Sequence, residues 1–567
     1  MRPLPTLLLS LAAVAALGLG LYVMGANVPA ALPGSGDKPA WNGGVPQGHV
    51  YTTVCDEPID VNPLTAHTST ARRMVHAFTH EALLDVDPAS GEMRPALASA
   101  FEPAVDGMSC TFTVRQGVKF ADGEPMTLED VLLPWHVAHA GHLPLGLIGD
   151  VFQRVAAVEV LDSWRFRVVF RERHYASVRI VGESWLVPSK RFFEARVAAK
   201  CGGRTPPAID SDEFATLLGQ VDLECGPGTG PYQLRNEPGG TSHWRPRQDL
   251  LLVRNDHCWR RSASPGCWNF TGIRLLFREP PAARNALLRG EIDSLTGSTI
   301  DSLLAAQPDL TGRYDRLVYD HEQMGVYRVV WNLRHAPCDD LRVRRALAAL
   351  FDAEGVVATS QGHLQRAVAH AKPDAPAYPR DLAPFAFDPP AARAALREAG
   401  YDPAAGRPLR LRFVAMAGTD ELRRMVELFA DAANKAGIDL SVRNVDMAGW
   451  TAAWKANDWD GLLTLTFFRP WGDPTPFLHS RGVDNLGQFA DAEVDRLLEQ
   501  AVGELDATAR ASAFRAAHKR AFELQPVTLL AHPQVTLLLS RSVQGEAVGR
   551  TGLLLERAYV EHDRQRK

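Results

Sequence analysis

In the stretch Phe467–Leu478, FFRPWGDPTPFL, a guanidinium, an indole and a carboxylate alternate at Arg469, Trp471 and Asp473. A guanidinium fork pairs with carboxylates and other oxyanions, and an indole offers a flat apolar face to a ring or a cation. Together they suit an anionic, carboxylate-bearing small molecule with an apolar or ring portion. The same spacing allows a purely structural use, in which Arg469 pairs with Asp473 across the turn and Trp471 packs into the core. Trp450 lies in the same region and is a further candidate for lining a site, whereas Trp454 and Trp459 read as core. Far upstream, Asp56 and Glu57 follow a short strand, where their carboxylates either accept donors from a ligand or stay solvated. The candidate ligand-binding set is therefore Arg469, Trp471, Asp473, Trp450 and Glu57.

Other chemistry is poorly represented. The sequence has no G-x-S-x-G elbow, no H-E-x-x-H, no C-x-x-C and no P-loop, and Gly226-Pro227-Gly228-Thr229-Gly230 lacks the Lys and hydroxyl that a phosphate cradle needs at the helix start. That glycine run reads as a tight turn entering a strand. His76 and His80 stand four apart on a helical stretch, a spacing able to chelate a metal, but no third ligand is evident nearby and a structural pair is the simpler account. Asp122, Glu129 and Asp130 are explained by turn formation and helix capping rather than acid/base catalysis. No enzyme activity, cofactor or metal is expected.

These residues need a scaffold, and Cys110–Trp135 shows its grammar. Cys110 to Val114 alternates like a half-buried strand, Ala121-Asp122-Gly123 is a turn, and Thr127 precedes Leu128-Glu129-Asp130 so that its hydroxyl can cap a helix. Further on, Tyr327–Asn332 reads as a buried strand, Asp340 opens a helix, and Leu409–Val414, Asp420–Ala436 and Ile438–Val442 give the strand, helix, strand order of a parallel sheet. A chain of 567 residues exceeds one core, so two or three lobes follow. The net charge of −5, from 61 basic and 66 acidic residues, gives no bias toward nucleic acid. Arg2 and the apolar run to Met24 form a signal-peptide-like segment or an uncleaved anchor, followed by a Pro/Gly-rich leader; export and a periplasmic location are expected. Seven cysteines in an exported chain suggest disulfides, with Cys201–Cys225 and Cys258–Cys267 preferred and at least one thiol left over.

The run Thr111–Val131, TFTVRQGVKFADGEPMTLEDV, resembles a signature of the family 5 extracellular solute-binding proteins, the dipeptide and oligopeptide receptors of ABC importers. Upstream of it, Asn62-Pro63-Leu64 and Arg94–Ala98, and downstream, Gly228–Tyr232, Arg254-Asn255 with Trp259, Glu291-Ile292-Asp293, Asp340–Leu347 and Asp473-Pro474 with Phe477-Leu478 are similar to other blocks of the same family, in the same order. The resemblance implies an α/β, two-lobed periplasmic-binding-protein fold of class II type with an extra subdomain on the first lobe. It divides the chain into a signal peptide or anchor at 1–26, a leader at 27–48, lobe I from 49–84 with 190–280 and 525–567, the subdomain at 85–189 and lobe II at 281–524. It further implies a monomer that closes on a peptide or other small solute and delivers it to membrane permease subunits. Two rivals stand beside it: a membrane-tethered sensor reusing the fold, and a metal-complex receptor of the same family. In peptide-binding members an Asp that holds the ligand's α-ammonium lies three residues before the acidic residue of the Asp-Pro turn; here that position is Pro470, with neither charge nor amide donor.

Overall fold

The computed structural model describes residues 46–565 apart from 66–74, 88–90, 140–150, 222–224, 235–242, 298, 322–323, 419, 469–471, 546–547 and 550–551. The signal-like segment and most of the leader lie outside the described residues. Two compact units emerge: one holds residues up to Tyr319 together with Leu537 onward, the other Asp320–Thr536.

In the first unit, strand Gly48–Cys55 runs parallel to Phe270–Phe277 in a mixed sheet, which continues through Asp249–Arg254 to Tyr232–Leu234. On its other edge Gly48–Cys55 meets Ser294–Thr296, which pairs in turn with Val535–Ser540. This pairing ties 281–319 to the first unit, so the division falls at Tyr319 rather than at the expected 280. A separate antiparallel sheet, ordered Ala98–Pro103, Ser109–Val114, Arg165–Phe170, Val155–Val160, forms the additional layer. The alternation expected for Cys110–Val114 is realised there, with Cys110, Phe112 and Val114 buried and the residues between them half-exposed. Helix Leu128–His139 follows as expected, but Thr127 acts differently. Its hydroxyl and its amide both donate to Asp130 Oδ2, at 2.7 and 2.8 Å, while Asp130 Oδ1 accepts from Lys190 N at 2.8 Å. The buried carboxylate, reaching back from the first turn, is thus the cap.

The glycine run owes its composition to a neighbour. A Cβ on Gly228 would lie 1.8 Å from the Thr79 carbonyl oxygen, and one on Gly230 2.5 Å from that of Phe78. Gly230 N donates to Thr79 O at 3.0 Å, so the backbones touch where no side chain fits.

The second unit is built on a six-stranded sheet ordered Leu364–Arg366, Val527–Pro533, Met324–Trp331, Gly461–Phe467, Arg410–Met416, Asp439–Val445. Arg410–Met416 and Asp439–Val445 are parallel and joined by helix Asp420–Lys435, as the sequence pattern required. Val527–Pro533 pairs with Met324–Trp331 and so belongs here; the C-terminal return to the first unit begins later, at Leu537. Helix Asp420–Lys435 buries its apolar stripe against the sheet, where Phe429 stacks on Phe351 at 4.1 Å between ring centroids and meets Phe413 at 4.9 Å.

The expected disulfides are not formed: all seven cysteines are buried and unbridged. Cys201 donates to the Val197 carbonyl at 3.2 Å within a cluster around Leu133, Phe193 and Phe214, while Cys225 packs with Tyr51, Phe78 and Tyr232. Cys258 sits at the start of helix Trp259–Ala263, and Cys267 lies against Glu556 and Arg557. Each thiol is used as a small apolar group in its own surroundings, and burial pushes Cys225 and Cys258 up to about 12, which keeps them protonated.

Because Phe429 is fully buried against two rings, Phe429→Ala should destabilise the second unit by about 3–5 kcal/mol. Urea unfolding followed by a probe in that unit reads this as a lowered midpoint at unchanged slope; a loss below ~1 kcal/mol would mean that the stack is not the core contact described.

Candidate functional site

Strand Gly461–Phe467 delivers the chain to the Asp-Pro turn. Phe468 is buried with its edge toward His532, at 5.8 Å between ring centroids. Arg469, Pro470 and Trp471 lie outside the described residues. Gly472 resumes at φ 72°, and Asp473, buried, accepts from Thr475 N at 2.8 Å through Oδ1. This Asx-type bond starts the short helix Thr475–Leu478 and explains the Asp-Pro-Thr-Pro spelling: the carboxylate supplies the acceptor, and the prolines need no amide partner.

The turn leads Phe477 into a polar centre that the sequence reading had not singled out. Arg328, from the strand Met324–Trp331, stands directly across the ladder from Thr464 and places its guanidinium 5.0 Å over the Phe477 ring. His370 stacks on the same ring, at 5.3 Å and 15° between planes. Arg328 Nη1 donates to His370 Nε2 at 3.0 Å; since Arg can only donate, that nitrogen is the unprotonated one and His370 is neutral. Nη2 makes a longer contact, 3.4 Å, with the main-chain carbonyl of Asp484. Burial brings Arg328 down to about 10, opposed by the attraction of Asp484, so the guanidinium remains charged at neutral pH. His518, from helix Ala507–Leu524, and His532, from strand Val527–Pro533, complete the surroundings. His532 donates from Nδ1 to Gly325 O at 2.8 Å, and Lys372 is paired with Asp320. The available signal was the spelling of YRVVWN: an Arg inside an otherwise apolar strand, read there only as part of a buried element.

The remaining candidates lie apart from this centre. Trp450 is 1 % exposed on helix Met447–Ala456, packed with Val330, Val414, Met416 and Trp459 in the second unit's core. Glu57, in the first unit, accepts from Trp244 Nε1 at 3.2 Å and from Arg247 N at 3.0 Å, bracing the turn at Arg247, where φ is 60°. His76 and His80 are both buried, with His76 Nε2 on the Val61 carbonyl at 2.9 Å and His80 Nδ1 on Thr79 Oγ1 at 2.9 Å. Among the described residues no group of three His, Cys, Asp or Glu side chains is placed to hold a metal ion.

Comparison with known proteins matches the sequence pattern to one lineage. A profile described as bacterial extracellular solute-binding proteins, family 5 Middle, covers residues 92–485. The chain is 25% identical over 472 residues to the nickel-binding periplasmic protein of Escherichia coli, covering 80% of this chain and 82% of that one. It is 26% identical over 502 residues to di/tripeptide-binding protein 2 of Pseudomonas aeruginosa, covering 82% and 86%. Among solved structures, the oligopeptide-binding protein AppA of Bacillus subtilis in complex with a nonapeptide superimposes with a TM-score of 0.71 over 91% of this chain and 100% of that one, at 18% identity. At that identity the likeness speaks for the fold.

The buried histidines have a consequence for acid stability. Burial lowers His518 to about 4 and His532 to about 3 from an ordinary 6.5, and pushes His370 down as well. The unfolded chain therefore takes up protons that the folded unit refuses. Their contribution is complete above pH ~6.5 and is lost as pH falls toward 4, by about 1.4 kcal/mol per pH unit for each histidine. The urea midpoint of the second unit should fall steeply over that interval, and His518→Gln should make the fall shallower. Equal slopes for the two proteins would refute this account.

Proposed function

The chain belongs to the bacterial extracellular solute-binding proteins of family 5, and from that premise we propose that it captures a peptide-like or other small organic solute in the periplasm and hands it, unaltered, to the membrane permease of an ABC importer. The observation that carries the reading is the family profile running through residues 92–485, which takes in the Cys110–Trp135 stretch, the glycine run and the Asp-Pro turn together. The periplasmic location is supported by the names of its relatives, the nickel-binding and murein peptide-binding periplasmic proteins among them. The reading contains no bond-making step, and the protein acts as a monomeric receptor.

Within this function the solute is one that does not depend on an α-ammonium group. An ammonium buried in a protein needs a carboxylate to offset its desolvation, and the place where peptide receptors carry that Asp is Pro470. Arg469 and Trp471 beside it favour the opposite charge and an apolar or ring portion. A receptor for a metal held in an organic chelate is the second reading, favoured by the nickel-binding relative at 25% identity; a chelate would bring most of its own ligands.

Native mass spectrometry of protein purified without refolding should show one solute per chain, and calorimetry should find unmodified dipeptides binding no more tightly than their N-acetylated forms. Tight dipeptide binding that acetylation abolishes would overturn the Pro470 argument. Retention of a metal chelate in place of a metal-free solute would favour the second reading. Steady conversion of an added solute to product would overturn the receptor assignment.

A further inference from the structure

Arg328 differs from the other buried arginines of the second unit in what surrounds its charge. Arg344, also buried, spends its donors on four main-chain carbonyls: Nε on Gln525 O at 2.9 Å, Nη1 on Cys338 O and Asp339 O at 2.8 and 2.9 Å, and Nη2 on Leu524 O at 2.7 Å. It is a strut, tying a helix to the end of its neighbour. Arg366, half-buried, reaches the carbonyls of Ala367 and Leu529 through Nη1; its Nε also lacks a hydrogen-bond partner but has the Glu354 carboxylate at 3.4 Å. Arg328, 3 % exposed, has one good hydrogen bond, Nη1 to His370, and the 3.4 Å contact of Nη2 with Asp484 O. Its Nε is buried with no hydrogen-bond partner, and among the described residues no carboxylate forms an ion pair with it.

Asp484 attracts the guanidinium without hydrogen-bonding it through its carboxylate; a buried cation that lacks a hydrogen-bonded carboxylate costs several kcal/mol. The pattern of use within this guanidinium is specific. Nη1 is anchored, and the plane is held by the Phe477 face and by His370, which itself stacks on Phe477. Nε and Nη2 point along the same edge of the planar group, and that edge is the less satisfied one: one donor unused, the other in a long contact. Two parallel N–H donors on one edge are the geometry that takes both oxygens of a carboxylate. His518 Nε2 is likewise buried without a partner nearby.

We propose that Arg328 is the oxyanion-recognising residue of the second unit, taking a carboxylate on its Nε/Nη2 edge while His370 and Phe477 hold the guanidinium in place. The inference rests on the solute-binding reading and deepens it, by naming a carboxylate as an obligatory part of the solute. The arriving oxygens replace the long contact to Asp484 O and satisfy the unused Nε–H, adding a hydrogen-bonded counter-charge to the attraction that Asp484 already exerts.

The test uses the full chain and sodium formate as the probe, with formamide and with sodium chloride at matched ionic strength as controls. For the wild-type protein, formate should raise the thermal unfolding midpoint saturably, beyond either control. Arg328→Met should lose this rise, with affinity for formate at least tenfold weaker, and should unfold without formate at a midpoint equal to or above that of the wild type. Arg328→Lys, which keeps the charge but not the fork, should bind about tenfold more weakly than wild type. Arg344→Met is the comparison, and should lower the midpoint as loss of a strut does. The inference is overturned if formate stabilises wild type and Arg328→Met alike, if it stabilises neither, or if Arg328→Met lowers the midpoint as much as Arg344→Met. Failure here, in a protein that still retains a solute on native mass spectrometry, removes the role of Arg328 and leaves the receptor reading intact; absence of any retained solute removes the receptor reading instead.

Discussion

The second unit depends on the strand Met324–Trp331 being hydrogen-bonded on both sides, by Gly461–Phe467 on one edge and Val527–Pro533 on the other. Both edges of the strand are thereby paired, and with seven of its eight residues buried both of its faces are covered as well. Every side chain it carries must therefore be apolar or be satisfied from within. Tyr327, Val329 and Trp331 meet the condition by joining the core beneath helix Asp420–Lys435. Arg328 cannot, and the surroundings are arranged around it: a neutral imidazole as acceptor, a phenyl face, and a main-chain carbonyl. The same ladder fixes which residues can reach it, because Thr464 is its register partner and the chain leaving that strand passes through Phe468 to the Asp-Pro turn and Phe477.

Close backbone approach governs the first unit in a comparable way. Gly228 and Gly230 press against the carbonyls of Thr79 and Phe78, and Tyr232 continues directly into a strand whose ring meets Phe78 edge-on at 6.0 Å. The Gly-Thr-Gly-Pro-Tyr spelling is thus a packing requirement: two positions without side chains where main chains touch, then an aromatic that fills the core. Nothing in it calls for a bound phosphate. His80, a residue with metal-binding potential by spacing, is consumed by the same junction, its Nδ1 on Thr79 Oγ1 and its ring beside Cys225.

Reading residues in isolation misjudged the uses of polar groups more than the positions of elements. Thr127 was expected to accept from helix amides, yet its hydroxyl donates to Asp130, because a buried carboxylate is the stronger acceptor and is already held by Lys190 N. The cysteine pairs were chosen by proximity along the chain, which does not measure distance in space; Cys201 and Cys225 ended in different clusters.

The sequence by itself determined the family, the order of strands and helices, and the turns, since hydrophobic period, caps and glycine positions are local properties written in consecutive residues. It also determined the loss of a charge at Pro470, which needs no coordinates to see. What only the tertiary structure decided is which polar side chains are spent on one another and which remain with donors unused. Arg328, Arg344 and Arg366 are alike as letters, and they become a recognition group or a strut only through partners that lie up to 181 residues away. Burial and hydrogen-bond satisfaction are properties of the folded assembly, and no window of sequence contains them.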